Sequence, residues 1–231
     1  MAMDNTPIQY INGFVEFYKL KFKVTKDVLI PRPETEIIVD EVLKLVASNN
    51  QPATILDIGT GAGVVAISIA KNLAPKAQVR LIATEISPEA LKIAKLNAKF
   101  HHVADKIEFI QSDLLSQLDP QLFAPDIKLS IVTNLPYIPS ERIPYLDSSV
   151  KDYEPHIALD GGHDGFGLYR QLFSQMKNAS LKFEFFMGEI DYTHGELAKE
   201  EAEKYFPEYK SEVTLDLFHR QRYLVIKPNL T

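Results

Sequence analysis

From residue 55 onward, short runs of aliphatic and β-branched residues alternate with stretches of helical periodicity, and this alternation admits few folds. Residues 55–58, 79–84, 107–111 and 129–133 read as buried strands, and residues 64–73 and 88–100 carry apolar side chains at helical spacing. Strands separated by helices pair in parallel through right-handed crossovers, which places helices on both faces of one sheet. The expectation is an α/β chain with a doubly wound, mainly parallel sheet. Beyond it, residues 165–179 and 194–205 read as helices and residues 183–187 as a strand. Residues 213–217 and 223–226, separated by residues 218–222, read as a closing antiparallel pair. Residues 138–163 mix proline, glycine, tyrosine and charge without sustained periodicity, and are expected to form a substrate-side loop.

Ahead of the alternating region, residues 8–30 place Phe14, Phe17, Tyr18, Phe22, Val24 and Val28 among polar residues, with Asn12-Gly13 at the expected turn. That pattern predicts a β-hairpin, so the chain divides into an N-terminal hairpin segment (1–30) and a catalytic domain (31–231). Pro31-Arg32-Pro33-Glu34-Thr35-Glu36 then leads into a helix, the prolines fitting its entry and the acids its positive end. A polar linker spans residues 48–52. The 231 residues contain no cysteine, which removes thiol nucleophiles and thiolate metal sites, and the 25 basic residues against 31 acidic ones give a net charge of -6. An acidic balance without basic clusters argues against nucleic acid as a direct substrate. No membrane-spanning or leader segment is read, and a cytoplasmic monomer is expected.

Asp57-Ile58-Gly59-Thr60-Gly61-Ala62-Gly63 falls where a strand passes into a helix, and Glu85 ends the next strand. Glycines let the backbone turn tightly against a ligand, and an acid at the second strand end suits the two hydroxyls of a ribose. The dinucleotide fingerprint wants glycine at its sixth position, where this chain has Val64, with Gly63 one place earlier. Asp57 is also awkward beside a pyrophosphate, but suits the cationic amino group of a methionine. S-adenosylmethionine carries that group and no phosphate, and S-adenosylhomocysteine would be its product. Asp113 and Leu114, after the third strand, are candidates to flank the adenine.

Asn134-Leu135-Pro136-Tyr137 follows the fourth strand. In isolation these four residues fit a plain turn equally well. At the ligand edge of the sheet a chemical role opens for them, because the Asn134 side-chain oxygen and the Leu135 carbonyl would accept the two N–H groups of a planar amide or exocyclic amine. That would aim its nitrogen lone pair at a methyl carbon and stabilise the charge that develops. Tyr137 would cover the planar group by stacking. No metal is required.

This arrangement resembles the amino-methyltransferases with an Asn-Pro-Pro-Tyr signature, and more closely the peptide chain release factor glutamine methyltransferases. The likeness runs through Gln9-Tyr10-Ile11 with Gly13 and Glu16-Phe17, the segment from Val28 to Glu36, the glycine loop, and Asn134 to Ile138. It continues in Tyr153-Glu154-Pro155, Ala158-Leu159, Gly161-Gly162 and Asp164-Gly165. It implies a Rossmann-like class I S-adenosylmethionine-dependent methyltransferase acting on the glutamine side chain in a Gly-Gly-Gln loop of class I translation release factors. By the same resemblance Gly59 to Gly63, Glu85, Leu114 and Asn134 contact the cofactor, Asn134 to Tyr137 hold the glutamine, and Arg32, Glu34 and Thr35 help close the site. Leu135 stands where the family usually has proline. Bacterial members carry a helical N-terminal domain ahead of the hairpin, which this chain is expected to lack. The competing readings are N6-adenine methylation of RNA or DNA, an inactive cofactor-binding partner protein and, last, a dinucleotide oxidoreductase.

Overall fold

The computed structural model describes residues 5–48, 52–123 and 127–229. Residues 49–51 of the expected linker lie outside them. A short helix α1 (Ile8–Asn12) precedes a hairpin of β1 (Phe14–Phe17) and β2 (Leu20–Lys23). The hairpin is present, but its turn is not at Asn12-Gly13. Those residues end α1, with Gly13 in the left-handed conformation at φ 75° that closes a helix. The two-residue turn is Tyr18-Lys19, with φ 49° and 58°. Such a turn needs positive φ at both positions and usually takes Asn or Gly. Tyr18 holds it through tertiary bonds instead: its N–H donates to Glu36 Oε1 at 2.7 Å and its hydroxyl to Asp40 Oδ1 at 2.6 Å. Both acceptors lie on α2 (Glu36–Ser48), which a 3₁₀ turn at Pro33–Thr35 introduces.

The remaining elements are β3 (Ala53–Ile58), α3 (Val64–Asn72), β4 (Val79–Glu85), α4 (Pro88–Phe100), β5 (Ile107–Gln111) and β6 (Leu129–Thr133), then α5 (Ser148–Lys151), α6 (Gly167–Asn178), β7 (Phe185–Glu189), α7 (Gly195–Tyr205), β8 (Tyr209–Leu215) and β9 (Gln221–Pro228). The seven-stranded sheet runs β5-β4-β3-β6-β7-β9-β8. β9 inserts antiparallel between β7 and β8, and the other pairings from β5 to β7 are parallel. The expected doubly wound sheet with a closing antiparallel pair is thus observed. Residues 138–163 contain a 3₁₀ turn at Ser140–Tyr145, α5 and a second 3₁₀ turn at His156–Ala158. These pieces are too short to carry a recognisable periodicity.

Residues 55–58 of β3 are all buried because both faces are covered. On one face the hairpin's Phe17 and Phe22 pack with α2, α3 and α4. On the other, Leu56, Ile58 and Ile131 pack with α6 and α7. Asn97 of α4 joins the hairpin to the glycine loop. Its side-chain oxygen accepts from Lys23 N at 2.8 Å, and its amide nitrogen donates to Lys23 O at 3.1 Å and Ala62 O at 2.9 Å. α4 starts on a capping Ser87, whose oxygen accepts from Ala90 N at 3.2 Å, with Pro88 at its first position. Among the described residues no helix is long and apolar enough to cross a membrane.

Candidate active site

β3 and β6 are adjacent, but the chain leaves them toward opposite edges of the sheet, and ligands collect at the carboxyl ends of strands at such a switch point. Ile58 pairs with Thr133, whose hydroxyl donates to Ile58 O at 2.7 Å, so the loops after the two strands begin side by side. They wall one cavity of about 170 Å³. Of the residues predicted from sequence, Arg32, Thr35, Asp57, Gly59, Thr60, Gly61, Ala62, Glu85, Asp113, Leu114, Asn134, Leu135 and Pro136 line it. Three others, Glu34, Gly63 and Tyr137, are not among the lining residues.

Each of those three has another setting. Gly63 has φ 83°, and a Cβ there would sit 3.1 Å from Ala94 Cβ and 2.9 Å from Ile67 Cδ1, so this glycine brings the loop against α4. The Glu34 carbonyl accepts from the Tyr223 hydroxyl at 2.7 Å. Tyr137 turns its hydroxyl to Glu189 Oε1 at 3.2 Å rather than laying its ring on the cavity wall.

The two strand-end acids are held differently. Asp57 Oδ2 accepts from Thr60 Oγ1 at 2.6 Å and Ala66 N at 3.2 Å. Burial nonetheless pushes its carboxyl up to about 6, against those hydrogen bonds and with a smaller push from Glu85. Glu85 accepts from Gly61 N at 2.9 Å and Ser87 N at 3.0 Å, one bond to each oxygen, and burial raises it as well. The Ile86 N–H also bears on this carboxylate, which has about four acceptor sites in all, so acceptor capacity remains for a ligand. A cavity walled by two buried acids fits an ammonium group and a ribose diol, and repels a pyrophosphate. Leu114 is left-handed at φ 54° with its carbonyl bonded to Ser112 Oγ at 2.9 Å; such strain in a non-glycine residue gathers at ligand sites. Asp113 is exposed, with Gln171 Nε2 3.4 Å from both of its oxygens. Leu135, in the usual proline position, is buried against the glycine loop: a Cβ on Gly59 would lie 3.2 Å from its Cδ2.

The 138–163 segment does reach the cavity, through Pro155, Ile157 and Ala158. Glu154 ties it down. This buried acid forms a short salt bridge with Arg32 and accepts from Ile30 N at 3.0 Å, linking the segment to the stretch before α2. Gly161 and Gly165 press it against the Asn134 motif. A Cβ on Gly161 would lie 2.5 Å from Gly165 O and 2.8 Å from both Pro136 O and Tyr137 Cα, all backbone atoms that cannot turn away. Gly161→Ala is therefore expected to destabilise the fold by about 3 kcal/mol in denaturant unfolding, through overpacking; a loss under about 0.5 kcal/mol would mean that the segment yields.

Sequence reasoning missed Glu189. It ends β7, is 1% exposed, and receives Thr35, Asn134 and Tyr137 on its carboxylate. An acid closing an apolar run beside Gly188 is the same signal that marks Glu85, but the strand was expected to end at Met187.

The sheet order, the glycine loop and the strand-end acid define a class I S-adenosylmethionine-dependent methyltransferase domain. Comparisons with known proteins agree. The methyltransferase small domain family matches residues 36–140. The release factor glutamine methyltransferase of Lactococcus lactis subsp. lactis is 37% identical over 96% of this chain and 78% of its own length. Those of Clostridium acetobutylicum and Moorella thermoacetica are 40% and 44% identical over 77% and 72% of this chain. The chain belongs to the release factor glutamine methyltransferase family. It spans only 60% and 55% of the Clostridium and Moorella proteins. Among solved structures, the hMettl16 catalytic domain in complex with a MAT2A 3′UTR hairpin superposes with a TM-score of 0.70 at 15% identity, covering 93% of this chain and 78% of that one. A ribosomal protein L11 methylase from Lactobacillus delbrueckii subsp. bulgaricus gives 0.55 at 17%, covering 86% and 81%. At such identities these two speak for the fold alone.

Proposed function

We propose that the protein transfers a methyl group from S-adenosylmethionine to the side-chain amide nitrogen of a glutamine, in the Gly-Gly-Gln loop of a class I peptide chain release factor in the cytoplasm. The observation that carries this is the placement of Asn134 in one cavity with Glu85 and the glycine loop. When bound, the cofactor supplies an electrophilic methyl group on a sulfonium. Glu85 holds the ribose hydroxyls, Asp57 faces the methionine ammonium, and Asp113 and Leu114 flank the adenine. An amide nitrogen is a poor nucleophile because its lone pair is delocalised into the carbonyl. Asn134 Oδ1 and the Leu135 carbonyl accept its two N–H groups, which directs the lone pair and stabilises the positive charge that grows there. Arg32, fixed by Glu154, and Thr35 border the glutamine from the segment before α2.

Incubation with methyl-labelled S-adenosylmethionine, purified release factors and RNA, followed by mass mapping, tests the reading. Label is expected on a glutamine side chain; label on adenine would overturn it. The raised Asp57 gives a second check. The carboxyl must be ionised to attract the ammonium, so binding releases a proton whenever the free site is protonated. S-adenosylhomocysteine affinity should therefore be level above pH 6 and fall toward tenfold per unit below it. Calorimetry showing level affinity down to pH 5 would remove Asp57 from that role.

A further inference from the structure

Four side chains meet behind the Asn134 motif, drawn from the segment before α2, the ends of β6 and β7, and the motif itself. Thr35 Oγ1 lies 2.6 Å from Glu189 Oε2, and Asn134 Nδ2 lies 3.1 Å from that oxygen and 3.0 Å from Thr35 Oγ1. The Tyr137 hydroxyl occupies the other carboxylate oxygen. A carboxylate only accepts, so the Thr35 hydroxyl gives its proton to Glu189 and turns a lone pair toward Asn134. Both groups facing the Asn134 carboxamide from behind are then acceptors. Only its amino group satisfies them, and its oxygen is left to the cavity that Asn134 lines. With the amide reversed, its oxygen would face two acceptors.

The same arrangement puts a carboxylate one hydrogen bond behind the amide. Taking this acid out of water is costly: burial raises the Glu189 carboxyl, opposed by the Thr35 bond, the charge of Arg222 and the Tyr137 bond. Arg222 is itself largely buried, 3.5 Å from Asp216 through Nε, and its guanidinium donates to Ile190 O at 3.4 Å. A plain packing role at the end of β7 needs no charge. Nothing in the reaction proposed above uses Glu189 directly, since it is not among the residues lining the cavity.

We propose that Glu189 is a positioning residue for methyl transfer: with Thr35 it locks the Asn134 carboxamide with Oδ1 toward the acceptor nitrogen, and its negative charge polarises that amide, strengthening Oδ1 as an acceptor while positive charge grows on the substrate. The inference rests on the glutamine-methylation reading for its kinetic part only. The orientation of Asn134 is a property of the free protein.

Two measurements separate the parts. In the ¹⁵N-labelled protein the Asn134 side-chain NH₂ signals, assigned by their loss in Asn134→Ala, should exchange slowly with solvent. Exchange should quicken at least tenfold in Thr35→Val and be largely restored in Thr35→Ser. Unchanged exchange in Thr35→Val overturns the lock, whatever the substrate proves to be. With release factor as substrate, Thr35→Val should lower kcat roughly tenfold and Glu189→Gln, which keeps shape but not charge, roughly a hundredfold. KM for the release factor should stay within about twofold in Glu189→Gln, whose side chain does not line the cavity, Kd for S-adenosylhomocysteine should stay within about twofold in both variants, and Thr35→Ser should recover most of the Thr35→Val loss. A full kcat in folded Glu189→Gln overturns the charge role, and a loss matched by weaker cofactor binding reduces Glu189 to a structural part. Wild-type protein inactive on release factors, with slow Asn134 exchange intact, refutes the substrate reading and leaves the lock standing.

Discussion

Replacing Asn134 with alanine is expected to slow methyl transfer by about 10² to 10³-fold while S-adenosylhomocysteine binds within a few-fold of the parent protein. Losing one preorganised hydrogen-bonding group that acts on charge developing in a transition state has effects of that order. Two features set this site toward the upper end. Asn134 Oδ1 is one of only two acceptors proposed for the amide, and its partner, the Leu135 carbonyl, is fixed in the backbone. Alanine also withdraws the donor that Glu189 and Thr35 share at 3.1 and 3.0 Å, leaving a buried carboxylate with one fewer bond. Cofactor binding should survive because the loop contacts belong elsewhere: Asn97 holds Ala62 and Glu85 holds Gly61. Single-turnover transfer from labelled S-adenosylmethionine reads the first effect and calorimetry the second. Turnover within threefold of wild type would remove Asn134 from the chemistry.

The alternating core was legible because its two periods differ so clearly. β3, β5 and β6 lie within about two residues of where short apolar runs place them, and the glycine loop falls at the end of β3 as expected. What escaped depends on contacts distant in sequence. Glu154 and Arg32 are 122 positions apart, and Glu189 and Thr35 are 154 apart, so neither pairing has a local signature. The hairpin turn failed for a related reason. Asn-Gly is a strong local turn signal, but Glu36 and Asp40 on α2 stabilise positive φ at Tyr18 enough to place the turn six residues later. Gly161 was legible only as part of a family likeness. Its physical role, a backbone approach to Pro136 and Tyr137 that excludes any Cβ, appears once the segment is folded back on the motif.

Glu85→Ala is expected to weaken S-adenosylhomocysteine binding by at least a hundredfold. Two hydrogen bonds from ribose hydroxyls to a carboxylate contribute about 1.5 to 3 kcal/mol each, so losing both costs about 3 kcal/mol or more. The same acid also receives Gly61 N and Ser87 N, tying the glycine loop to the start of α4, and alanine releases both. A looser loop loses additional ordering entropy on binding, which adds to the effect. Stability of the free protein should move the other way or little. Burial raises the Glu85 carboxyl, so near neutral pH its ionised form is held at a cost to the free fold, present above the raised pKa and relieved as pH falls through it. Removing the charge relieves that cost while giving up two backbone bonds, and the terms oppose. A hundredfold weaker ligand with an unfolding midpoint within a few degrees of wild type would therefore mark Glu85 as a ligand group rather than a structural one. Equal binding in Glu85→Ala would remove it from the ribose, whereas a large drop in midpoint would show that the loop depends on Glu85 to fold.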